Sequence, residues 1–435
     1  MKYKEEFIEK IRKKISSTES KMEYRNSEKD FKRERKMPFI KVVEYGLNKK
    51  GLSGKMEIIE FEELVNAKDI SSPGVLKQRL KLKGEIYRDM MVENVSNFYK
   101  KHKKEVKLYK GYIVTATDGT DFEIPNTKAT RTRYNELHPR ETVARASISN
   151  IYDVLNNYIL DTIIEKYDTT EREMAKKNYE NVKKMDLPYP IIRLKDRGYV
   201  EMQDIYYSNK SNEKYVTRLK KTDFKKQIGL MSSNDEYITI PYQYDRVRYY
   251  KKTDPEFYKI MEETKEEIKI RIVKVISGKT EIILASNLSK EEMNYEEINE
   301  LYKLRWEIET SYNVLKESLK IESITSSNEI IIKQDIYSQM LVCNLIQAFK
   351  NETEANINQE KYKNKMKINT NMAVGFVKKA FILILIEDNL KTRQNMLDNL
   401  SLKIEKYLIP IKPNRTAPRK KLKKNKYSIN KRKSF

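Results

Sequence analysis

Residues 301–322 read LYKLRWEIETSYNVLKESLKIE. No glycine or proline interrupts them, so the spacing predicts a helix throughout. At about 100° per residue, Tyr302, Arg305, Glu309 and Lys316 fall within about 60° of one another. Leu301, Leu304, Ile308, Tyr312, Leu315 and Leu319 occupy the neighbouring arc. One stripe therefore packs on a core, and the stripe beside it presents a phenol, a guanidinium, a carboxylate and an ammonium. Such a face holds a carboxylate on a rigid element with phosphate-binding cations beside it. Taken alone, the pattern equally describes a surface helix with an Arg305–Glu309 pair worth roughly a few tenths of a kcal/mol. The rest of the chain decides between the two.

The chain has 435 residues, enough for two or three domains. Lys and Arg number 88 against 64 Asp and Glu, a formal charge of +24. A charge of that size points to a polyanionic partner, nucleic acid before anionic membrane, with solubility as the bland alternative. The single cysteine, Cys343, excludes an internal disulfide or a cysteine zinc site, and its apolar helical surroundings (QMLVCNLIQAF) suit a core thiol. With only His102 and His138, a histidine metal cluster or a Ser-His-Asp triad has little support. The start, MKYKEEFIEKIRKK, lacks the apolar stretch of a signal peptide. The longest apolar run, AFILILI at 380–386, is too short to span a bilayer. A soluble, intracellular protein is expected.

Along the chain, Phe7, Ile8, Ile11 and Ile15 recur at helical spacing among lysines, predicting an amphipathic basic helix. Residues 39–46 and 56–65 read as short helices, and Ser72-Pro73 opens a long basic helix expected over 75–99. The first hundred residues thus form a helical, positively charged unit. Residues 108–117 (LYKGYIVTAT) read as a strand running into Asp118-Gly119. Residues 144–166 (ARASISNIYDVLNNYILDTIIEK) read as a helix with Ile151, Leu155, Ile159 and Ile163 on one face. YPIIRL at 189–194 and KYVTRL at 214–219 read as strands. The order strand, helix, strand predicts an α/β layer domain. From about residue 235 the texture is β, with EYITIPYQYDRVRYY and EIKIRIVKVI largely alternating and Ser277-Gly278-Lys279 as a hairpin turn. Residues 330–349 and 372–390 read as helices. From 410 to the end the sequence holds 11 Lys plus Arg and no acid, a basic tail expected to be disordered and to track phosphate backbone.

Two carboxylates stand out by position. Asp118 and Asp196 each close an apolar, strand-like run and each is followed closely by glycine. A carboxylate there can be held at the open edge of a sheet, although Asp-Gly and Asp-x-Gly are also ordinary turn signals. With Glu309 they form an oxygen-only donor set, which selects Mg²⁺ or Mn²⁺ over zinc. Such a set is able to hold two ions ~3.5–4 Å apart for an in-line displacement at phosphorus. Arg305 and Lys316 then serve the non-reacting phosphates, and Tyr302 bonds a phosphate or stacks on a sugar or base.

Tyr302-x2-Arg305-x3-Glu309-x6-Lys316 resembles the YREK signature of DDE transposases of the insertion-sequence-four type. ATDGT at 116–120, KDRGY at 195–199 and LASNL at 284–288 resemble the blocks of that family that precede the signature, in the family's order. The resemblance covers roughly residues 30–350. It implies an α/β fold: an RNase H-like mixed-sheet catalytic core interrupted by a mostly β insertion domain, with a helical N-terminal region and a helical, basic C-terminal region. The expected divisions are a helical basic DNA-binding region at 1–104, the first part of the core at 105–232, the β insertion at 233–283 and the second part of the core at 284–350. C-terminal helices at 351–408 and the basic tail at 409–435 follow. The resemblance further implies that Asp118, Asp196 and Glu309 are the catalytic residues and ligands of two Mg²⁺ or Mn²⁺ ions. By the same token Tyr302, Arg305 and Lys316 contact DNA.

The implied activity is cleavage at terminal inverted repeats and strand transfer into target DNA, by a homodimer on paired double-stranded ends, in the cytoplasm of a bacterium. A non-transposing nuclease on the same core and a catalytically silent DNA-binding derivative are the alternatives. Some members of the family hold a flipped base with a tryptophan of the insertion. The only tryptophan here, Trp306, lies instead on the signature helix. It points about 70° from the centre of the polar stripe, where packing on a neighbouring element is expected. Tyr237, Tyr242, Tyr244, Tyr249 or Tyr250 would have to stack on a flipped base in its place.

Overall fold

The computed structural model describes residues 2–33, 35–67, 69–136, 142–167, 169–277 and 280–411. The basic tail and the Gly278-Lys279 turn expected from the sequence lie outside the described residues. The chain opens with helices α1 (Tyr3–Ser16), α2 (Thr18–Tyr24), α3 (Phe39–Leu47), α4 (Gly54–Leu64), α5 (Ser72–Arg79) and α6 (Glu85–Lys101). In α1 the apolar stripe Phe7, Ile8, Ile11 and Ile15 is buried. The long helix expected over 75–99 is two helices. Gly84 lies in the break, where a Cβ would stand 3.0 Å from the backbone nitrogen of Gln334. The Gln334 amide donates to the carbonyls of Arg79, at the end of α5, and Leu82, in the segment that follows.

Strand β1 (Ile113–Glu123) follows, then helix α7 (Lys128–Tyr134), strands β2 (Arg145–Asp153) and β3 (Tyr158–Lys166), and helix α8 (Glu171–Lys184). The helix expected over 144–166 is therefore a hairpin. Its isoleucines fit a 3.6-residue stripe, but β2 is buried at every position, so no alternation marks it as a strand. The deciding features are β-branched residues on both sides of Asn156-Asn157, with Asn157 in the left-handed region at φ 61°. Strand β4 (Ile191–Lys195), helix α9 (Met202–Lys210), strand β5 (Lys214–Arg218) and helix α10 (Lys225–Gly229) come next.

The block expected to be β throughout is mixed. Strand β6 (Asp235–Ile240) leads into helices α11 (Tyr244–Val247), α12 (Tyr250–Thr253) and α13 (Pro255–Thr264), and then into β7 (Ile268–Ser277) and β8 (Thr280–Ser286). Asp254 caps α13 by accepting from the Phe257 N–H, with Pro255 in the first turn, a start signal legible in the sequence.

Among the described residues the strands form one eight-stranded sheet in the order β3-β2-β1-β4-β5-β8-β7-β6. β1, β2 and β3 are antiparallel neighbours, and β4 and β5 run parallel to β1. The order 3-2-1-4-5 with that mixture of directions is an RNase H-like core. β8, β7 and β6 continue the same sheet from β5. One hydrophobic core runs from Tyr3 to Ile404 and joins the N-terminal helices, the sheet and the C-terminal helices. A second packs the strands and helices of residues 200–285.

The signature segment is one helical rod with two irregularities. Helix α14 (Tyr295–Lys303) starts at an Asn294 capping box, tightens to a 3₁₀ turn at Leu304–Trp306, continues as α15 (Glu307–Asn313) and widens to a π turn at Val314–Ser318. Lys320, at φ 54°, ends it. Tightening advances the helical phase and widening retards it. The two offset each other, and Leu301, Ile308, Leu315 and Leu319 all stay buried as the uniform helix predicts. Helices α16 (Glu329–Ala355), α17 (Thr370–Ile386) and α18 (Leu390–Glu405) close the chain, with a short two-stranded sheet of β9 (Met366–Ile368) and β10 (Leu408–Pro410).

Candidate active site

The site begins with register. β1 and β4 are parallel neighbours whose last paired residues are Thr117 and Lys195. Asp118 and Asp196 are the next residues of each chain, so two carboxylate-bearing positions lie on adjacent strands, roughly one strand spacing of ~4.8 Å apart. Asp118 does not end its strand, as expected from the sequence: β1 continues to Glu123, with Asp118 opposite Asn150 of β2. Asp118-Gly119 is thus extended strand and not a turn. Asp196 does stand just past the end of β4.

Helix α15 brings the third carboxylate over β1. The Tyr312 hydroxyl donates to the Asp118 carbonyl at 2.6 Å and fixes the height of the helix above the strand. One polar cleft of about 600 Å³ is lined by Asp118, Asp196, Glu309, Arg305, Lys316 and Trp306, with Arg197 and Arg218 among the other residues of its wall. The structure therefore brings Asp118, Asp196 and Glu309 to one cleft. Arg305 is largely buried and donates to Glu309 Oε1 at 3.1 Å. The Tyr302 hydroxyl reaches Asp196 Oδ1 at 3.5 Å, and its ring centroid lies 5.9 Å from the Arg305 guanidinium. Lys316 turns toward β1, donating to the Asp121 carbonyl at 2.7 Å over the Phe122 ring.

Electrostatics follow from this packing. Burial pushes the Asp118 carboxyl up to about 6. Arg305 and the Gly119 N–H oppose the shift, and the charges of Glu171 and Glu309 add to it. Burial also works against the Arg305 charge, but Tyr302, Asp196 and Glu309 outweigh it and hold the guanidinium protonated.

Among the described residues, no three acidic, histidine or cysteine side chains enclose an ion as they stand. The donor set nevertheless fits a hard divalent cation: three carboxylates, no nitrogen or sulfur ligand, and one carboxyl, Asp118, whose proton affinity is raised by burial and by its acidic neighbours, which a bound cation would relieve.

Trp306 departs from expectation. It is 50% exposed and lines the wall of the cleft. Of the insertion tyrosines, Tyr237, Tyr244 and Tyr249 are exposed. Tyr250 is buried with its hydroxyl accepting from the Met202 N–H, and Tyr242 bonds Glu262 beneath Lys265. Sequence reasoning passed over Arg197 and Arg218. The available signal was topological: each stands at or just past the C-terminal end of a parallel strand, where open sheets bind ligands.

A family model described as Transposase DDE domain matches residues 109–345. That span contains every residue of the cleft. No curated protein matches the chain. Among solved structures, a cryo-electron-microscopy structure of the piggyBac transposase synaptic complex with hairpin DNA is similar at 8% identity. The match covers 87% of this chain and 76% of that one, with a TM-score of 0.40. No helix of the described residues is long and apolar enough to cross a membrane.

Proposed function

The chain belongs to the transposase DDE domain family, and from that premise we propose that it is a cut-and-paste transposase of the insertion-sequence-four type. It cleaves DNA at the terminal inverted repeats of its element and transfers the freed strands into a target. The observation that best supports this reading is the convergence of Asp118, Asp196 and Glu309 in one cleft with Arg305 and Lys316. A plain surface helix gives no reason for its Glu and Arg to share a cleft with aspartates from two adjacent strands.

In this reading Asp118, Asp196 and Glu309 hold two Mg²⁺ or Mn²⁺ ions. When bound, such ions supply the Lewis acidity that in-line displacement at phosphorus requires. Arg305, placed between Tyr302 and Glu309, orients a non-bridging phosphate oxygen through its planar fork. Lys316 supplies a point charge further along the strand, and Tyr302 a hydroxyl beside Asp196. The partners are double-stranded transposon ends and target DNA, engaged by a homodimer within the bacterial cytoplasm.

Incubation with Mg²⁺ and DNA bearing the element's terminal repeats tests the reading. Cleavage at the repeat ends is expected from the wild type. Glu309→Gln should lose it by at least about a hundredfold while still binding the ends. Undiminished cleavage by that variant overturns the site assignment. Strand-transfer products separate a transposase from a nuclease on the same core.

A further inference from the structure

Gly119 follows Asp118 in the middle of β1, where its extended backbone gives no conformational reason for glycine. Its neighbour does. A Cβ at this position would stand 2.9 Å from Glu171 Cγ, 3.0 Å from Cδ and 3.1 Å from Oε1. Glycine leaves the room that the Glu171 carboxylate occupies. Glu171 is the first residue of α8, presented by the Thr170 cap, and is itself exposed. It shares a small cavity of about 190 Å³ with Gly119, Thr120 and Asp121, and the first two of these also line the catalytic cleft.

Neighbouring strand residues point to opposite faces. Here the pairing of β1 with β4 stops at Thr117, so no β4 backbone pairs with β1 beyond that point. Tyr199 stands at that edge. It is 6% exposed; burial raises its hydroxyl well above the usual phenol range, and the charges of Glu171 and then Asp118 add to the shift. Gly119, on which Glu171 packs, and Thr120 form part of the wall of both the Glu171 cavity and the cleft of Asp118, and the Glu171 charge adds to the upward shift of the Asp118 carboxyl.

We infer that Glu171 is a fourth carboxylate of the catalytic centre and contributes to its hold on a divalent cation at Asp118. The inference rests on the reading of Asp118 given above. Its test is Mn²⁺ affinity of the full chain without DNA, titrated by electron paramagnetic resonance for the wild type, Asp118→Asn, Glu171→Gln and Glu180→Gln. Glu171 is exposed and glutamine is isosteric, so the fold is not at risk.

Asp118→Asn is expected to lose the site, and Glu171→Gln to weaken Mn²⁺ by roughly tenfold or more. Glu180→Gln, on the same helix but outside the cleft, should match the wild type. Wild-type affinity in Glu171→Gln, with Asp118→Asn weakened, overturns the inference and leaves the reading of Asp118 standing. Wild-type affinity in Asp118→Asn as well overturns both.

Discussion

At the scale of single residues, Trp306 has the role most changed by the structure. Its sequence position placed it off the polar stripe, toward a packing role. The 3₁₀ turn at Leu304–Trp306 alters the helical phase locally, and the indole comes to lie half exposed on the wall of the cleft. On the proposed function, a flat aromatic surface in this cleft is a stacking platform for DNA. Trp306→Ala should therefore leave thermal stability nearly unchanged and weaken end-DNA binding by about tenfold, the scale of one base–aromatic contact of ~1–3 kcal/mol. Fluorescence anisotropy with labelled end DNA, beside a thermal melt, reads both. A variant that binds like the wild type returns Trp306 to a structural role. Asp196 and Glu309 were legible because a strand end and a helical stripe depend on local sequence alone. The surroundings of Asp118 were not, because Asp-Gly signals a turn in sequence and only its pairing with Asn150 makes it strand.

At the scale of elements, the signature helix is held at both ends by cations from elsewhere. Arg271 of β7, fully buried, donates to Asp235 at 2.7 Å through both Nε and Nη2. Its Nη1 donates to the carbonyls of Leu288, Ser289 and Met293, the segment entering α14. Removing the guanidinium leaves the Asp235 carboxylate without its counter-charge and takes the side-chain donor from the Leu288 and Met293 carbonyls, while the Ser289 carbonyl keeps the Met293 N–H. Arg271→Met should cost about 3–5 kcal/mol, and Arg271→Lys should not rescue it, since an ammonium has no planar fork. Chemical denaturation measures both.

At the other end, Lys378 of α17 donates to the Leu319 carbonyl at 3.2 Å and to Gln339 at 3.2 Å. Burial lowers its ammonium to about 8 against an ordinary 10.5, with Glu57 opposing and Lys49 and Lys50 assisting. Between those values the unfolded chain binds more protons than the folded one, so stability rises with pH across that window. Wild type should gain on Lys378→Met from pH 8 to pH 10.5, by at most about 3 kcal/mol. A constant difference across that range refutes the burial of the charge. Neither clamp was visible in the sequence, because each pairs residues of different elements, 17 to 59 positions apart. The hairpin of β2 and β3 was misread for a related reason: burial on both faces erased the alternation that identifies a strand.

At the scale of the whole molecule, charge and core divide the labour. The N-terminal helices, the sheet and the C-terminal helices share one hydrophobic core. The buried Arg79–Asp335 pair at 2.6 Å ties α5 to α16 within it. The cleft is therefore built by elements that stabilise one another, and its geometry should not depend on a polar tail. Residues 412–435, outside the described residues, carry 11 Lys plus Arg, nearly half of the net +24. If the tail tracks backbone phosphates, it contributes affinity without sequence information, and each phosphate contact adds about 0.9 to the slope of log affinity against log salt. A chain ending at Ile411 should then bind random duplex with a shallower salt slope and weaker affinity. At saturating end DNA it should cleave at the wild-type rate, because every residue of the cleft is retained. An unchanged slope would place the non-specific affinity on the folded surface instead, with Arg197, Arg218, Arg305 and Lys316 the first cations to neutralise. Unchanged binding with impaired cleavage would show that the tail acts on the cleft itself, which neither its charge nor the shared core gives it a means to do.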